Sequence, residues 1–144
     1  VVGNINETPV IGSDGGADSA TLQVLENTSA VTTVVASDPE GTPRSYAIAG
    51  GSDAEKFTID AATGVLRFVA APDHDIAGDA DGNNVYEVIV QASDGSTADT
   101  QALSIAVGNV NEAPVLAPVA TLPVLEGQLA AGTILATDVD GQPL

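Results

Sequence analysis

The sequence predicts an all-β protein, a seven-stranded Greek-key β-sandwich of which one complete copy is followed by the beginning of another. Three observations support this fold class: short β-branched segments with period-two alternation, turn residues between those segments, and a block order that occurs twice. Many short strands separated by turns are typical of sandwiches. No segment has the apolar spacing of a long amphipathic helix.

The strands of the complete copy are predicted from alternation and turn signals. In the last two, Tyr86, Val88 and Val90 share one face, as do Leu103 and Ile105, because side chains alternate along a strand. Thr63-Gly64 predicts a hairpin turn, and Ser52 is the expected cap of a single helical turn over 52–55. The predicted strands are 21–26, 31–36, 45–49, 56–60, 65–70, 86–93 and 98–108.

The chain repeats its own blocks in the same order. VGNINETPV at 2–10 recurs as VGNVNEAPV at 107–115, an offset of 105 residues. LQVLEN at 22–27 and ASDPEG at 36–41 recur as LPVLEG and ATDVDG, both at an offset of 100. The five additional residues of the first copy fall in the Gly/Asp/Ser-rich stretch 11–20, where a loop insertion is tolerated.

This repetition predicts the organisation of the chain. We expect an inter-module linker at 1–9, a complete module at 10–108, a second linker at 109–118 and the N-terminal part of the next module at 119–144. The N-terminus shows no signal peptide, and the second copy lacks counterparts of everything after Tyr46. These features lead to the expectation that the sequence is a piece of a longer chain.

The charge balance restricts the function classes. The sequence contains three Lys and Arg residues and 20 Asp and Glu residues, which gives a net charge of −17. Such a surface repels nucleic acid and anionic membranes, and its natural partners are hard divalent cations. No apolar run approaches the roughly 20 residues that span a bilayer, so no membrane insertion is expected. The absence of Cys excludes a disulfide scaffold and a Cys-ligated zinc site.

The sequence does not predict an enzyme. It contains no G-x-S-x-G element, and 3% aromatic residues cannot line the cleft of a glycosidase. The lone His74 is predicted to be an exposed loop residue. The Asp79–Asn83 segment begins like an EF-hand loop, but the Gly and Glu that such a loop needs are Asn84 and Val90 here. A solvated acidic loop is the simpler interpretation, with a minor calcium loop as the alternative.

The acidic residues are concentrated at strand ends and turns. Two carboxylates with one residue between them lie on the same side of an extended segment, as at Asp38/Glu40, Asp73/Asp75 and Asp138/Asp140. Calcium takes six to eight oxygen ligands from such groups. Acidic turns without bound metal remain the alternative interpretation of this pattern.

Six sequence elements occur in a defined order along the chain: L-E-N at 25–27, A-S-D-P-E-G at 36–41, D-A-A-T-G-V-L at 60–66, D-H-D at 73–75, Y-E-V-I-V-Q-A-S-D-G at 86–95 and N-V-N-E-A-P at 109–114. With these elements in this order, the sequence resembles the cadherin family, in its bacterial cadherin-like branch. The resemblance covers the complete copy and the start of the next. One residue is missing from the family's linker pattern, Asn109 stands where Asp is usual, and Glu40 replaces an Asp.

The resemblance implies calcium at the junctions between modules, with ligands from one module, the linker and the next module. The first junction would use Asn4, Asn6, Glu7, Asp38, Glu40 and Asp94. The second would use Glu26, Asp73, Asp75, Asn109, Asn111, Glu112, Asp138 and Asp140.

A calcium-stiffened stalk or adhesion module of an extracellular bacterial adhesin or surface fibre is therefore the expected function. Its partners would be neighbouring repeats of the same chain. The alternatives are a carbohydrate-binding or homophilic binding module, and an accessory module of an enzyme. A sugar-binding face needs exposed aromatic residues, and Tyr46, Phe57, Phe68 and Tyr86 are all predicted to face the core.

Overall fold

The computed structural model describes residues 3–41, 45–118, 126–127 and 133–141. The chain divides into two compact units, Val1–Asn109 (unit 1) and Val110–Leu144 (unit 2). Part of the predicted second module, at 119–125, 128–132 and 142–144, lies outside the described residues.

Unit 1 is a β-sandwich of two main sheets. Its strands are β1 (Val10–Ile11), β2 (Ser19–Leu25), β3 (Ala30–Thr33), β4 (Ala36–Ser37), β5 (Ser45–Gly50), β6 (Phe57–Ile59), β7 (Val65–Phe68), β8 (Val85–Ser93) and β9 (Ala98–Gly108). One sheet has the order β2-β9-β8-β5, the other has the order β3-β7-β6, and β1 pairs separately with β4. These seven strands in two sheets confirm the predicted fold class.

The core lies between the two sheets and is built from the predicted faces. Val88, Val90, Leu103 and Ile105 are all at most 1% exposed, because β8 and β9 turn every second side chain inward. Leu66 lies opposite them on the three-stranded sheet and is fully buried. The prediction that the aromatic residues face the core is confirmed: those buried are Tyr46, Phe57, Phe68 and Tyr86.

The predicted hairpin turn is present between β6 and β7. Asp60 Oδ1 accepts hydrogen bonds from the N–H groups of Ala62 (3.0 Å) and Thr63 (2.8 Å), and Gly64 N–H donates to Asp60 O at 2.8 Å. Gly64 has φ +72°, a left-handed conformation that only glycine adopts without strain. Its carbonyl accepts from Val34 N–H at 2.8 Å and thereby joins the turn to the chain between β3 and β4.

The prediction of one continuous strand over 31–36 is wrong. The chain forms β3 and β4 instead, because it changes partner between them: β3 pairs with β7 and β4 pairs with β1. Val35 O accepts from Gly12 N–H at 2.9 Å, and this bond holds the chain beside β1 after it has left β7. The short strand β1 was not predicted, since two residues give no periodicity.

The helical turn differs in register and capping from the prediction. It is a 3-10 turn at Ala54–Lys56 with Asp53 at the N-cap position and no side-chain capping bond. Ser52 does not cap it; its hydroxyl donates to Asp53 Oδ2 at 3.2 Å. It is the only helical element among the described ranges, and no helix there is long and apolar enough to cross a membrane.

Unit 2 repeats the first strand pair of unit 1. β10 (Val115–Leu116) and β11 (Ala136–Thr137) are antiparallel, with Leu116 opposite Ala136. In unit 1 Ile11 lies opposite Ala36, so the two pairs have the same register at the offsets found in the sequence. Ile11 is 3% exposed and Leu116 is 64% exposed, because unit 2 contains counterparts of only the first part of unit 1.

The Gly64→Ala substitution is expected to lower the free energy of unfolding by about 3 kcal/mol, measured by denaturant titration. A Cβ at this position would collide with the carbonyl oxygen of Val34. Gly82→Ala is the matched control, because Gly82 has φ +74° and nothing within 4 Å of the added Cβ. It should cost only about 1 kcal/mol for its backbone conformation. Equal losses in the two variants would contradict the close approach at Gly64.

Candidate metal centre at the ends of the units

The start of unit 1 is fixed by carboxylates that accept hydrogen bonds from the linker. Glu40 Oε2 accepts from the Glu7 backbone N–H at 3.1 Å, and Glu40 Oε1 accepts from Asn4 Nδ2 at 3.3 Å. Glu40 lies in the turn that follows β4, three residues after the strand ends, and its side chain reaches residues 4–7. Three of the predicted ligands therefore lie together.

Asp94 holds the same linker from the turn between β8 and β9. Its Oδ2 accepts from Asn6 Nδ2 at 2.7 Å, and its Oδ1 accepts from the N–H groups of Ser96 (2.6 Å) and Thr97 (2.7 Å). The residues Asp94-Gly95-Ser96-Thr97 thus form an Asx turn. Oδ1 therefore accepts only from the turn, whereas Oδ2 accepts from Asn6 and from the Thr97 hydroxyl.

Asp38 completes this group. Its Oδ1 accepts from Glu40 N–H at 3.0 Å, which shapes the turn that carries Glu40. The structure therefore joins all six residues predicted for the first junction in one hydrogen-bonded group, which we call the entry cluster of unit 1. Its members are Asn4, Asn6, Glu7, Asp38, Glu40 and Asp94.

Unit 2 has the same arrangement at its start. Asp140 Oδ2 accepts from Glu112 N–H at 2.7 Å, as Glu40 does from Glu7 in unit 1. Asp138 Oδ1 accepts from Asp140 N–H at 3.0 Å, and Asn111 Nδ2 donates to Glu112 O at 3.0 Å. We call Asn111, Glu112, Asp138 and Asp140 the entry cluster of unit 2.

The opposite end of unit 1 contains a third acidic group, the exit cluster, formed by Glu26, Asp73 and Asp75. Glu26 is 2% exposed, and its N–H donates to Gly108 O at 3.0 Å, beside the point where the chain leaves β9. Its Oε2 accepts from His74 N–H at 2.7 Å. A carboxylate oxygen of Glu26 lies within 4.8 Å of one of Asp75. Asn109 follows Gly108 directly and is exposed.

Backbone N–H groups hold two of these acids in place. Asp73 Oδ1 accepts from the N–H groups of Asp75 (3.0 Å) and Ile76 (3.1 Å) in another Asx turn. His74, which was predicted to be exposed, is half-buried, because its backbone is drawn to Glu26. Its carbonyl accepts from Asn84 Nδ2 at 2.8 Å.

The hydrogen bonds at Asp94 have an electrostatic consequence. The N–H groups of Thr97 and Ser96 and the amide of Asn6 stabilise the ionised carboxylate and hold the pKa of Asp94 far below its ordinary value of 3.8. In the entry cluster of unit 1, this group therefore remains an anion where ordinary carboxyl groups are protonated. The ionised carboxylate is the form that binds a cation.

The acidic loop before β8 is organised differently. Asp79 accepts from the N–H groups of Asn83 (2.8 Å) and Asn84 (3.0 Å), and Asp81 accepts from Asn83 Nδ2 at 2.9 Å. The hydrogen bond with the neighbouring Asp79 carboxyl raises the pKa of Asp81. The Asp79 and Asp81 carboxylates therefore accept hydrogen bonds from within the loop and stabilise its conformation.

Two residues of functional interest were not predicted. Thr97 Oγ1 donates to Asp94 Oδ2 at 2.9 Å and to Glu7 O at 3.4 Å, so it links turn and linker; its place after Asp-Gly-Ser is the only sequence signal. Asp53 is 2% exposed and accepts from the N–H groups of Ala80 (2.6 Å) and Glu87 (2.8 Å). No local pattern marks it.

The donor set of these clusters suits calcium. Carboxylate and amide oxygens are hard ligands, and the clusters contain no Cys or His side chain that would favour a softer metal. Only three Lys and Arg residues are present for 20 carboxylates, so side chains cannot neutralise most of them. The donors suit a hard divalent cation, and Glu26 and Asp75 belong to the one group of three or more described acids whose oxygens all lie within 4.8 Å of one another.

Several solved structures are similar to this chain in fold. The EC1-2 fragment of human protocadherin-24 is 23% identical with a TM-score of 0.58, and the match covers 93% of this chain and 61% of that fragment. Drosophila N-cadherin EC1-4 is 24% identical with a TM-score of 0.60, covering 77% of this chain and 27% of that one. The protocadherin GammaB4 extracellular domain is 23% identical with a TM-score of 0.58, covering 92% and 23%.

These likenesses show that the chain has the fold of cadherin extracellular domains. The chain spans less than two thirds of the length of each of these three structures. No protein-family model and no curated protein sequence matches it.

The depressed pKa of Asp94 predicts a pH dependence of the calcium-free protein. A depressed folded-state pKa stabilises the protein above the ordinary pKa of 3.8, and this contribution is lost as the pH falls below that value. In a carboxyl-carbon NMR titration, Asp94 should remain ionised at pH 3. Asn6→Ala and Thr97→Val should each raise its pKa, whereas Thr58→Val, on β6 of the other sheet, should leave it unchanged. Titration of Asp94 near pH 4 in the unmodified protein would contradict these hydrogen bonds.

Proposed function

We propose that this chain is a calcium-binding, tandem-repeat adhesion module of an extracellular protein, such as a bacterial adhesin or surface fibre. Ions shared by the exit cluster of one unit and the entry cluster of the next would stiffen the junction. The chain would act mechanically, without enzymatic activity, and its partners would be neighbouring repeats.

One observation carries this proposal. The same backbone-to-carboxylate hydrogen bond fixes the entry cluster of both units, Glu7 to Glu40 in one and Glu112 to Asp140 in the other. The acid differs between the copies, but the bond and its supporting Asp38 or Asp138 turn are the same. A solvated acidic surface would not require this geometry twice.

The position of the clusters along the chain supports a shared site. Glu26 is hydrogen-bonded to Gly108, and the predicted linker 109–118 begins at the next residue. Three residue steps limit the Cα separation of Asn109 and Glu112 to about 11 Å. Two carboxylates about 11 Å apart repel one another by roughly 0.4–1.5 kcal/mol when no cation is present, and by roughly 1–4 kcal/mol at about 4 Å. Calcium, when bound, would supply the neutralising charge.

The residues that would hold the ions have distinct tasks. In the unit 1 entry cluster, Asp94 and Glu40 would orient the linker through Asn6 and Glu7, as they do in the structure. At the second junction, Glu26, Asp73 and Asp75 would bind from unit 1, Asn109 from the linker, and the unit 2 entry cluster from the other side. Without the ion, the carboxylates at the junction would repel one another and the linker would be flexible. With the ion bound, ligands from both units would hold it and restrict motion at the linker.

The carbohydrate-binding alternative lacks a supporting observation. The sequence contains two Phe, two Tyr and no Trp, and all four aromatic side chains are buried. No aromatic ring is therefore available to stack on a sugar. The homophilic alternative has separate support in the edge of one sheet, which is described below.

Calcium binding by the full chain is expected to be weak, with Kd values of roughly 10⁻⁴ to 10⁻³ M, as is usual for extracellular modules. Isothermal titration should show fewer sites for Asp38→Asn/Glu40→Gln and for Asp138→Asn/Asp140→Asn. Asp60→Asn is the matched control, because Asp60 caps an Asx turn like that of Asp94 but belongs to no cluster. Absence of saturable binding up to about 10 mM calcium, or equal binding of magnesium, would contradict a calcium site.

Stiffening of the junction can be measured on the same chain. Because it has no Cys, labels at Thr58→Cys and Thr137→Cys would be the only spin labels present. The distribution of distances between them should be broad without calcium and narrow at saturating calcium, measured by double electron–electron resonance. With Asp138→Asn/Asp140→Asn it should stay broad. If calcium leaves the distance distribution of the labelled chain with intact clusters unchanged, stiffening is contradicted even if calcium binds.

A further inference from the structure

The four edge strands of the two main sheets of unit 1 are not equally protected against pairing. β3 and β5 are interrupted by register shifts, and β6 has only three residues. Tyr46 of β5 also donates its N–H to Ala61 O at 3.0 Å. Bulges and short length are the usual means of preventing edge-to-edge contact. β2 has neither, since its seven residues pair with β9 without a shift.

β2 is also uncharged in a chain with net charge −17. Its sequence, SATLQVL, contains no charged residue, Pro or Gly. Strands of this length with high β-propensity and no charge are prone to pair with another strand.

Alternate residues of β2 direct their backbone groups away from the sheet. Asp18 O accepts from Ala102 N–H at 2.9 Å and Glu26 N–H donates to Gly108 O at 3.0 Å, so the even-numbered residues face β9. The N–H and C=O groups of Ser19, Thr21, Gln23 and Leu25 therefore point outward. Within the described ranges, no acceptor on that side takes these four N–H groups.

We propose that β2 is a self-association edge, to which the β2 strand of a second copy adds in antiparallel orientation about a twofold axis at Leu22. This register places Thr21 opposite Gln23 of the other copy and Ser19 opposite Leu25. Each pair joins two outward-directed residues, which exchange two hydrogen bonds. The two four-stranded sheets then become one continuous sheet.

A second copy fits this edge better than an unrelated strand for two reasons. The pairing is self-complementary, because all outward residues meet outward residues and both strands have the same length. The seven paired residues also carry no charge, although the register brings Asp18 opposite Glu26 of the other copy at both ends, a repulsion that salt screens. The edge ends at Asn27, whose N–H donates to Pro72 O at 2.9 Å.

The second copy of the repeat differs at the decisive position. LQVL at 22–25 corresponds to LPVL at 122–125, so Pro123 stands where the first copy has Gln23. Proline has no N–H and is a usual means of protecting an edge strand. The association is therefore specific to unit 1. The comparison also suggests Gln23→Pro as a test substitution, because the second copy has Pro at the corresponding position.

The test is sedimentation equilibrium of the full chain at rising protein concentration, at low and high ionic strength. The unmodified chain should dimerise reversibly, and more strongly at high salt, because salt screens the repulsion between two copies. Gln23→Pro should weaken dimerisation at least tenfold. Gln23→Ala, which keeps the N–H group, should dimerise as the unmodified chain does.

Hydrogen exchange gives a second readout that needs no variant. The amides of Thr21, Gln23 and Leu25 should become protected as protein concentration rises, while those of Leu22 and Val24 should be protected throughout. A chain that remains monomeric at millimolar concentration and high salt would overturn the proposal. So would a dimer that Gln23→Pro leaves intact, since it would use another surface, such as the exposed Leu116 and Ile134 of unit 2. Added protection at Leu22 alone would overturn it as well.

Discussion

The parallel pairing of β2 with β9 is the interaction on which both ends of unit 1 depend. It runs without interruption from Ser19 opposite Ala102 to Leu25 opposite Gly108. Because the two strands end side by side, Glu26 lies where the chain leaves the sandwich. The same ladder occupies the inward half of the β2 backbone and leaves the outward half exposed. One pairing thus positions the exit cluster and creates the open edge.

The acidic residues are held by turn chemistry that does not itself require a metal. Asp38, Asp73, Asp94 and Asp138 each accept at least one backbone N–H in their own turn, which is a common role for Asp. What turn chemistry leaves unexplained is the convergence of several such turns on one linker. Asn6 and Glu7 are held by acids from two different turns, those after β4 and β8. That convergence concentrates negative charge at the start of unit 1.

Period-two alternation was sufficient to predict the sandwich and its core, because burial of one strand face is a local property. Tyr86, Val88 and Val90 show this directly. The split between β3 and β4 could not be predicted, since it depends on Gly64 and Gly12, which are distant in the sequence. Gln101 is similar: it is 1% exposed because its Nε2 donates to Ala17 O at 2.8 Å in the loop before β2. The entry clusters were predictable as groups because the repeat marks them twice; their hydrogen bonds were not.

Differences between the two copies carry as much information as their similarities. Glu40 and Asp140 differ in length, yet each accepts the N–H of a linker Glu, so the bond to the linker is what both copies retain. Gln23 and Pro123 differ in whether an N–H group is present, so the two copies do not share this donor. Gln23 of unit 1 has it on an uncharged strand of a strongly acidic chain, where we propose that a second copy uses it. The entry clusters, which both units contain, and the β2 edge are therefore separable features of the chain.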